Sequence, residues 1–193
     1  MMSNNLNIYM IGVGGQGIGL LSEVLIRAFD YAGINVLGVD THGLAQRGGT
    51  VQSHLRAGDN IFSPLIRKNT ADIAIALERT EALRAVQNYL KPKGKLIYYN
   101  TSWQTLDVRL ENVKETKKEE IIDSAEKIEA EVIEVYKEDL EDARMQNVVL
   151  LAEIAKNEIL TDLKKENYIE ALKDLMDGEK LENNLKLFNQ ITG

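Results

Sequence analysis

Two short stretches of the chain combine side chains that can do chemistry with glycines that let the backbone come close to something. Asp40-Thr41-His42-Gly43-Leu44-Ala45-Gln46-Arg47-Gly48-Gly49-Thr50-Val51 holds an acid, a histidine, an amide, an arginine and three glycines in a dozen positions. An arginine fork matches a carboxylate or a phosphate, a histidine exchanges protons near neutrality, and glycines allow close backbone approach. Little in the stretch can be buried apolar surface, so it reads as a loop facing a ligand or a partner. A polar Arg-Gly-Gly turn leading into a strand is the plainer reading. The second stretch, Gly12-Val13-Gly14-Gly15-Gln16-Gly17, satisfies G-x-G-x-x-G at Gly12, Gly14 and Gly17. Its glycines allow a tight turn, and a helix starting there offers N–H groups to an anion.

The elements that must position these stretches are legible from periodicity. Leu6 to Ile11 is an apolar run ending at Gly12 and predicts a buried strand. Ile18 to Ala32 places Leu21, Val24, Leu25, Ala28 and Phe29 at helical spacing, with Gly33 as the stop. Ile34 to Val39 predicts a second strand that delivers the chain to Asp40. Strand, glycine loop, helix and strand form the first step of an open parallel sheet. Val51, Ser53 and Leu55 alternate with Gln52, His54 and Arg56, which predicts a half-exposed strand of unfixed direction. Asp59-Asn60 makes a turn and Ile61 to Arg67 a crossing. Asp72 to Leu77 predicts a buried strand ending at Glu78, Glu81 to Leu90 a helix closed by Pro92 and Gly94, and Lys95 to Tyr99 the next strand. Beyond an irregular crossing from Thr101 to Lys118, a helical stripe runs through Ile121, Ile122, Ala125 and Ile128. Val132 to Tyr136 predicts the last strand, Ala143 to Ile159 and Leu163 to Met176 two more helices, and a polar tail starts at Gly178. The fold class expected is α/β: a single Rossmann-like domain over residues 1–193, with a mostly parallel open sheet, helices on both faces and a helical C-terminal part.

Composition narrows the function classes. With 193 residues and 44% hydrophobic content the chain can bury one proper core. It has no cysteine, which excludes disulfides, zinc–thiolate sites and cysteine-held iron–sulfur clusters within it. With only two histidines, no metal site is expected. No apolar run has the length of a membrane span and no charged-then-apolar leader opens the chain, so no membrane association and a cytoplasmic location are expected. The net charge of −7 is uneven, since ten Lys/Arg stand against seven Asp/Glu in the first hundred residues and 13 against 23 beyond them. No basic stripe is present to replace phosphate counterions, which disfavours nucleic acid. The mildly positive first half suits a small anionic ligand.

Alone, the glycine fingerprint followed by Asp40 at the end of the second strand would suggest a nicotinamide or flavin enzyme. Three features turn away from that reading. Gln16 puts a hydrogen-bonding side chain at the helix mouth, Asp40 opens a dense polar loop with other possible tasks, and no second domain brings a substrate to a nicotinamide. No thiamine-diphosphate signature is readable, since Asp177-Gly178 and Asn183-Asn184 lie too close together, and no P-loop occurs. His42 has no serine or cysteine nucleophile nearby in sequence. His54, on an alternating strand, reads as a surface or interface residue.

In combination, Gly12-Val13-Gly14-Gly15-Gln16-Gly17 and Thr41-His42-Gly43-Leu44-Ala45-Gln46-Arg47-Gly48-Gly49-Thr50-Val51 resemble the gamma-type subunit of 2-oxoacid:ferredoxin oxidoreductases. Ser53-His54-Leu55-Arg56, Ser63-Pro64-Leu65-Ile66, Ala71-Asp72 and the series Glu78, Glu81-Ala82, Arg84 extend the resemblance to about residue 100, and it returns faintly at Met145-Gln146-Asn147-Val148-Val149-Leu150-Leu151. The beta subunit of indolepyruvate ferredoxin oxidoreductase is the most similar type. Gamma subunits of the pyruvate and other 2-oxoacid enzymes are similar too, and a stand-alone Rossmann-like nucleotide-binding protein is the alternative of another class.

The resemblance implies a division of labour. Thiamine diphosphate on a partner subunit takes up the 2-oxoacid, electrons released on decarboxylation pass to the partner's iron–sulfur clusters and on to ferredoxin, and coenzyme A receives the acyl group. This chain would hold none of these groups alone. It would cap the thiamine site and help receive coenzyme A, inactive without its partner, and it would self-associate through the uncovered surface when isolated. His42, Gln46 and Arg47 are the implied catalytic candidates. Gly12, Gly14, Gly15, Gln16 and Gly17, with Gly48 and Gly49, are the implied cofactor-facing positions.

Overall fold

A computed structural model describes residues 5–42, 49–103, 115–140 and 142–193, without the His42 side chain. Leu6–Val13 (β1) lies inside a six-stranded sheet, because its alternating side chains can be buried on both faces. Ile8 and Met10 enter one apolar cluster, Tyr9 and Ile11 the other. The remaining strands are Val36–His42 (β2), Thr50–Ala57 (β3), Ala71–Ala76 (β4), Leu90–Tyr99 (β5) and Glu131–Val135 (β6), in the spatial order β2-β3-β1-β4-β5-β6. The pairings β1–β4, β4–β5 and β5–β6 are parallel, whereas β3 runs antiparallel to both its neighbours. The α/β class, the mostly parallel sheet and the helices on both faces are thus as the sequence predicts.

Ile18–Tyr31 (α1) covers one face, joined there by Gln146–Lys156 (α4), Lys165–Leu175 (α5) and Gly178–Thr192 (α6). Arg79–Asn88 (α2) and Lys118–Glu126 (α3) cover the other. Small residues set the close packing of α2: Ala74 and Ala76 of β4 meet Ala82 and Ala85, all fully buried. α4 is apolar nearly all round, with Val148, Val149, Leu150, Leu151 and Ala152 buried, as befits a helix enclosed between the sheet and α6.

Three expectations are corrected. β3 is not half-exposed: it sits between β1 and β2, so Ser53, His54 and Leu55 are buried. Pro92 and Gly94 do not close a helix but lie inside β5, at a register shift against β4 where Lys93 adopts φ 62°. This bulge accommodates a proline that a regular ladder would reject. The polar tail from Gly178 is the helix α6, whose Leu187 and Phe188 sink into the core while its charges face out. Of the crossing expected from Thr101 to Lys118, residues 104–114 lie outside the described residues.

Phe188 is fully buried, so Phe188→Ala should cost about 3–5 kcal/mol of unfolding free energy. Denaturant titration checks this, and a loss within the error of a surface substitution would show that α6 is not core.

Candidate functional site

Parallel strands aim their C-terminal ends at one edge of the sheet. There β1 ends at Val13, β4 at Ala76, and antiparallel β3 begins at Thr50 beside the end of β2. The glycine turn leaves β1 at this edge. Gln16, fully buried, points into the gap between β1 and β4: Val13 N donates to its Oε1 at 2.7 Å, and its Nε2 donates to the Leu77 carbonyl at 2.9 Å. The amide therefore braces the turn from inside. Gly12 must lack a side chain, because a Cβ there would stand 2.9 Å from Ile18 Cγ1 and 3.1 Å from Gln16 Oε1.

The outer side of the turn is backbone. Gly15 adopts φ 103° and is exposed, with nothing within 4 Å of where a Cβ would be. Gly17 caps α1 at φ 86°, and a Cβ there would collide with the Asn147 amide. The first helical hydrogen bond runs from Leu21 N to Gly17 O at 3.1 Å, so the N–H groups of Ile18, Gly19 and Leu20 lack an intrahelical acceptor. No acid occupies this first turn. The N-terminal end of α1 accordingly favours an anion.

The second stretch meets the first through its backbone: Gly14 N donates to the Gly49 carbonyl at 2.9 Å. Gly48, Gln46 and Arg47 lie outside the described residues, and His42 is described only as the last residue of β2, paired with Val51. Asp40 receives the Ser53 hydroxyl on Oδ1 at 2.5 Å, an engagement that competes with the ribose contact a dinucleotide would need.

A cleft of about 660 Å³ opens beside the turn, lined by Gly15, Gly17, Leu20, Arg144, Asn147 and Lys180 among others. Its far wall is formed by the 3-10 turn Ala143–Met145, the start of α4 and the start of α6. Asn147 joins the walls: its Nδ2 donates to Gly17 O at 3.3 Å across 130 residues of chain, while its Oδ1 accepts Val148 N. Arg144 is gripped by Asp142, with Nε to Oδ2 at 2.9 Å and Nη2 to Oδ2 at 2.5 Å. The hydrogen bonds from Arg144 hold the Asp142 carboxyl below its usual range. Periodicity alone did not single out Asn147, Arg144 or Lys180. The faint return of the resemblance at Met145 to Leu151 was the available signal for the first of them.

Two buried acids stand behind the turn. Glu78 caps α2, receiving the Glu81 N–H on Oε1. Burial raises its carboxyl to about 7, against the opposing effect of the Glu81 and Thr80 N–H bonds. Glu81, fully buried, accepts the Thr50 hydroxyl at 2.8 Å and Arg84 Nη1 at 2.7 Å. His54 is not a surface residue. It is 4% exposed, accepts Ile66 N on Nδ1 at 3.2 Å, and stands edge-on to Tyr9 and Tyr89, which stack at 3.8 Å. Burial lowers its pKa, and the neutral ring accepts a backbone N–H, so His54 supports the crossing loop. Among the described residues, no group of three or more His, Cys, Asp or Glu could hold a metal ion, and no helix is long and apolar enough to cross a membrane.

The chain belongs to the pyruvate ferredoxin/flavodoxin oxidoreductase family, which it matches over residues 7–192. Indolepyruvate oxidoreductase subunit IorB of Archaeoglobus fulgidus is 49% identical over 96 residues, covering 50% of this chain and 46% of that protein. The Pyrococcus horikoshii subunit IorB is 40% identical over 94 residues, covering 49% and 46%. These matches take in about half the length of each curated relative. Among solved structures, a 2-oxoglutarate:ferredoxin oxidoreductase from Magnetococcus marinus, with 2-oxoglutarate, coenzyme A and succinyl-CoA bound, superposes with a TM-score of 0.71 at 19% identity, over 98% of this chain and 30% of that one. The pyruvate oxidoreductase subunit PORC of Thermotoga maritima gives 0.65 at 14% identity, over 98% and 96%. At these identities the structures speak for the fold.

Gln16→Ala would leave Val13 N–H and the Leu77 carbonyl without their side-chain partners in the interior, so a loss of about 2 kcal/mol or more is expected in denaturant titration. An unchanged midpoint would refute the brace. Glu78 gives a pH signature. Its folded pKa lies above the ordinary 4.5, so its stabilising contribution is complete below that value and is lost as pH rises through about 7. Relative to Glu78→Gln, the wild type should lose stability across that window, on the order of 3 kcal/mol in full. Parallel stability–pH curves would contradict the assignment.

Proposed function

We propose that the chain is the gamma-type subunit of a thiamine-diphosphate-dependent 2-oxoacid:ferredoxin oxidoreductase, acting on an aryl pyruvate such as indolepyruvate to give the acyl-CoA with reduction of ferredoxin. The observation that carries this reading is the hydrogen bond from Gly14 to Gly49. It joins Gly49, near the end of the second stretch, to the glycine turn that borders the cleft. The names of the IorB relatives support the substrate class.

The residues fit a phosphate-bearing ligand such as coenzyme A. The first α1 N–H groups have no side-chain cap and Gly15 is exposed, Arg144 and Lys180 add positive charge against the single Asp142 in the cleft lining, and the opening lies within the range of small-ligand pockets. Arg47 and His42 lie in the stretch bonded to this turn, and their proposed task is to reach the mouth of the partner's site. Thiamine diphosphate and iron–sulfur clusters on the partner would supply the decarboxylation and the electron path. This chain would bind, orient and exclude water, inactive alone. Exposed Phe62 and Leu65, at 92% and 57%, offer a surface for a partner to cover. The dinucleotide alternative is weakened by Gln16 closing the strand gap and by Ser53 engaging Asp40.

Mixing the purified chain with its thiamine-bearing partner should give dye reduction that requires both indolepyruvate and coenzyme A, with neither subunit active alone. Within that complex, Arg47→Ala should lower kcat/KM for coenzyme A about tenfold or more. Unchanged kinetics would remove Arg47 from the site. Tight binding of a nicotinamide or flavin by the isolated chain, with no activity in the mixture, would favour the alternative.

A further inference from the structure

Glu81 has no task in the reading above, yet it is the most enclosed acid at this edge, with none of its surface exposed. A buried carboxylate is expensive unless paired, and an apolar residue of similar size often serves stability as well. Its partners show what it does instead. Glu81 stands in the first turn of α2, where the helix dipole favours an acid. Its Oε1 accepts the Thr50 hydroxyl at 2.8 Å and Arg84 Nη1 at 2.7 Å, while Arg84 Nη1 also donates to Thr50 Oγ1 at 3.1 Å. The three groups close a triangle in which the Thr50 hydroxyl both donates and accepts, which leaves it one orientation. Thr50 is the first residue of β3 and adjoins Gly49, whose carbonyl receives Gly14 N.

We propose that Glu81 is a positioning residue: through Thr50 and the Gly49 carbonyl, it sets the place of the Gly14–Gly17 turn against α1 and so the surface offered to the phosphate-bearing ligand. The coupling itself stands on the geometry, and only its consequence for coenzyme A rests on the proposed function. The chain of contacts also explains why an acid and an arginine three residues apart on α2 accompany two glycine stretches far from them in sequence: all three hold one turn.

The test uses Thr50→Val, which keeps size and branching but removes the hydroxyl, and Thr50→Ser, which restores it. In the intact chain, amide hydrogen exchange at Gly14, whose N–H is bonded to Gly49, should speed up about tenfold or more in Thr50→Val and return toward wild type in Thr50→Ser. In the assembled enzyme the KM for coenzyme A should rise by a similar factor in Thr50→Val while kcat stays within about twofold. Unchanged exchange at Gly14, or an equal acceleration in every strand of the sheet, would overturn the coupling. Should the wild-type complex show no turnover dependent on coenzyme A, the proposed function fails, while the exchange data still decide the coupling.

Discussion

The amide of Gln16 fills the gap where β1 and β4 part, and the rest of the functional edge is arranged around that fact. In open α/β sheets such a gap, at the carboxyl ends of strands whose following helices take opposite faces, is where ligands ordinarily lie. Here the turn's own side chain bonds Val13 N and Leu77 O across it. With the inner side closed, what the turn can offer is its outer side: the Gly15 backbone, the Gly17 cap and the N–H groups that begin α1. Under the proposed function, coenzyme A would approach from beyond the edge, along the cleft walled by the C-terminal helices. A loop that meets its ligand from outside is suited to a site completed by another chain.

The opposite flank of the turn is held with equal economy of parts. Asn147 bonds Gly17 O from the far wall of the cleft, and Gly49 O receives Gly14 N from the second stretch. Three segments distant in sequence therefore converge on six residues, Gly49 and Leu77 through backbone carbonyls and Asn147 through its side-chain amide. Behind them, Glu78 and Glu81 place two carboxyls in the interior, one raised toward neutrality by burial and the other paired with Arg84. Polar groups in such a setting are costly when half-satisfied and fix a unique arrangement when satisfied.

Much of this was legible in the sequence because local patterns and tertiary contacts agreed. β1, the turn and α1 were readable from an apolar run, glycines and a helical stripe, and the α/β class followed from their order. Alternation marks a strand but not its neighbours, which is why β3 is buried and not half-exposed: set between β1 and β2, its polar His54 is buried by the aromatic pair Tyr9 and Tyr89 and by the crossing loop at Ile66. Pro92 and Gly94 carried a stop signal that the β5 bulge overrode, and the charges of α6 hid the apolar stripe of Leu187 and Phe188. The site was half-visible for the same reason. Its glycines announced themselves, while Asn147, Arg144 and Lys180 come from helices whose approach to the turn depends on the packed core.

The claim that matters most is that the glycine turn and its cleft receive coenzyme A within an assembled enzyme. The most direct measurement is amide hydrogen exchange of this chain in complex with its thiamine-bearing partner, with and without coenzyme A. Added coenzyme A should slow exchange at Gly14 to Leu20 and at Arg144 to Asn147, leaving the buried strands unchanged. No change in those two segments in a catalytically active complex, or protection confined to other parts of the chain, would contradict the claim.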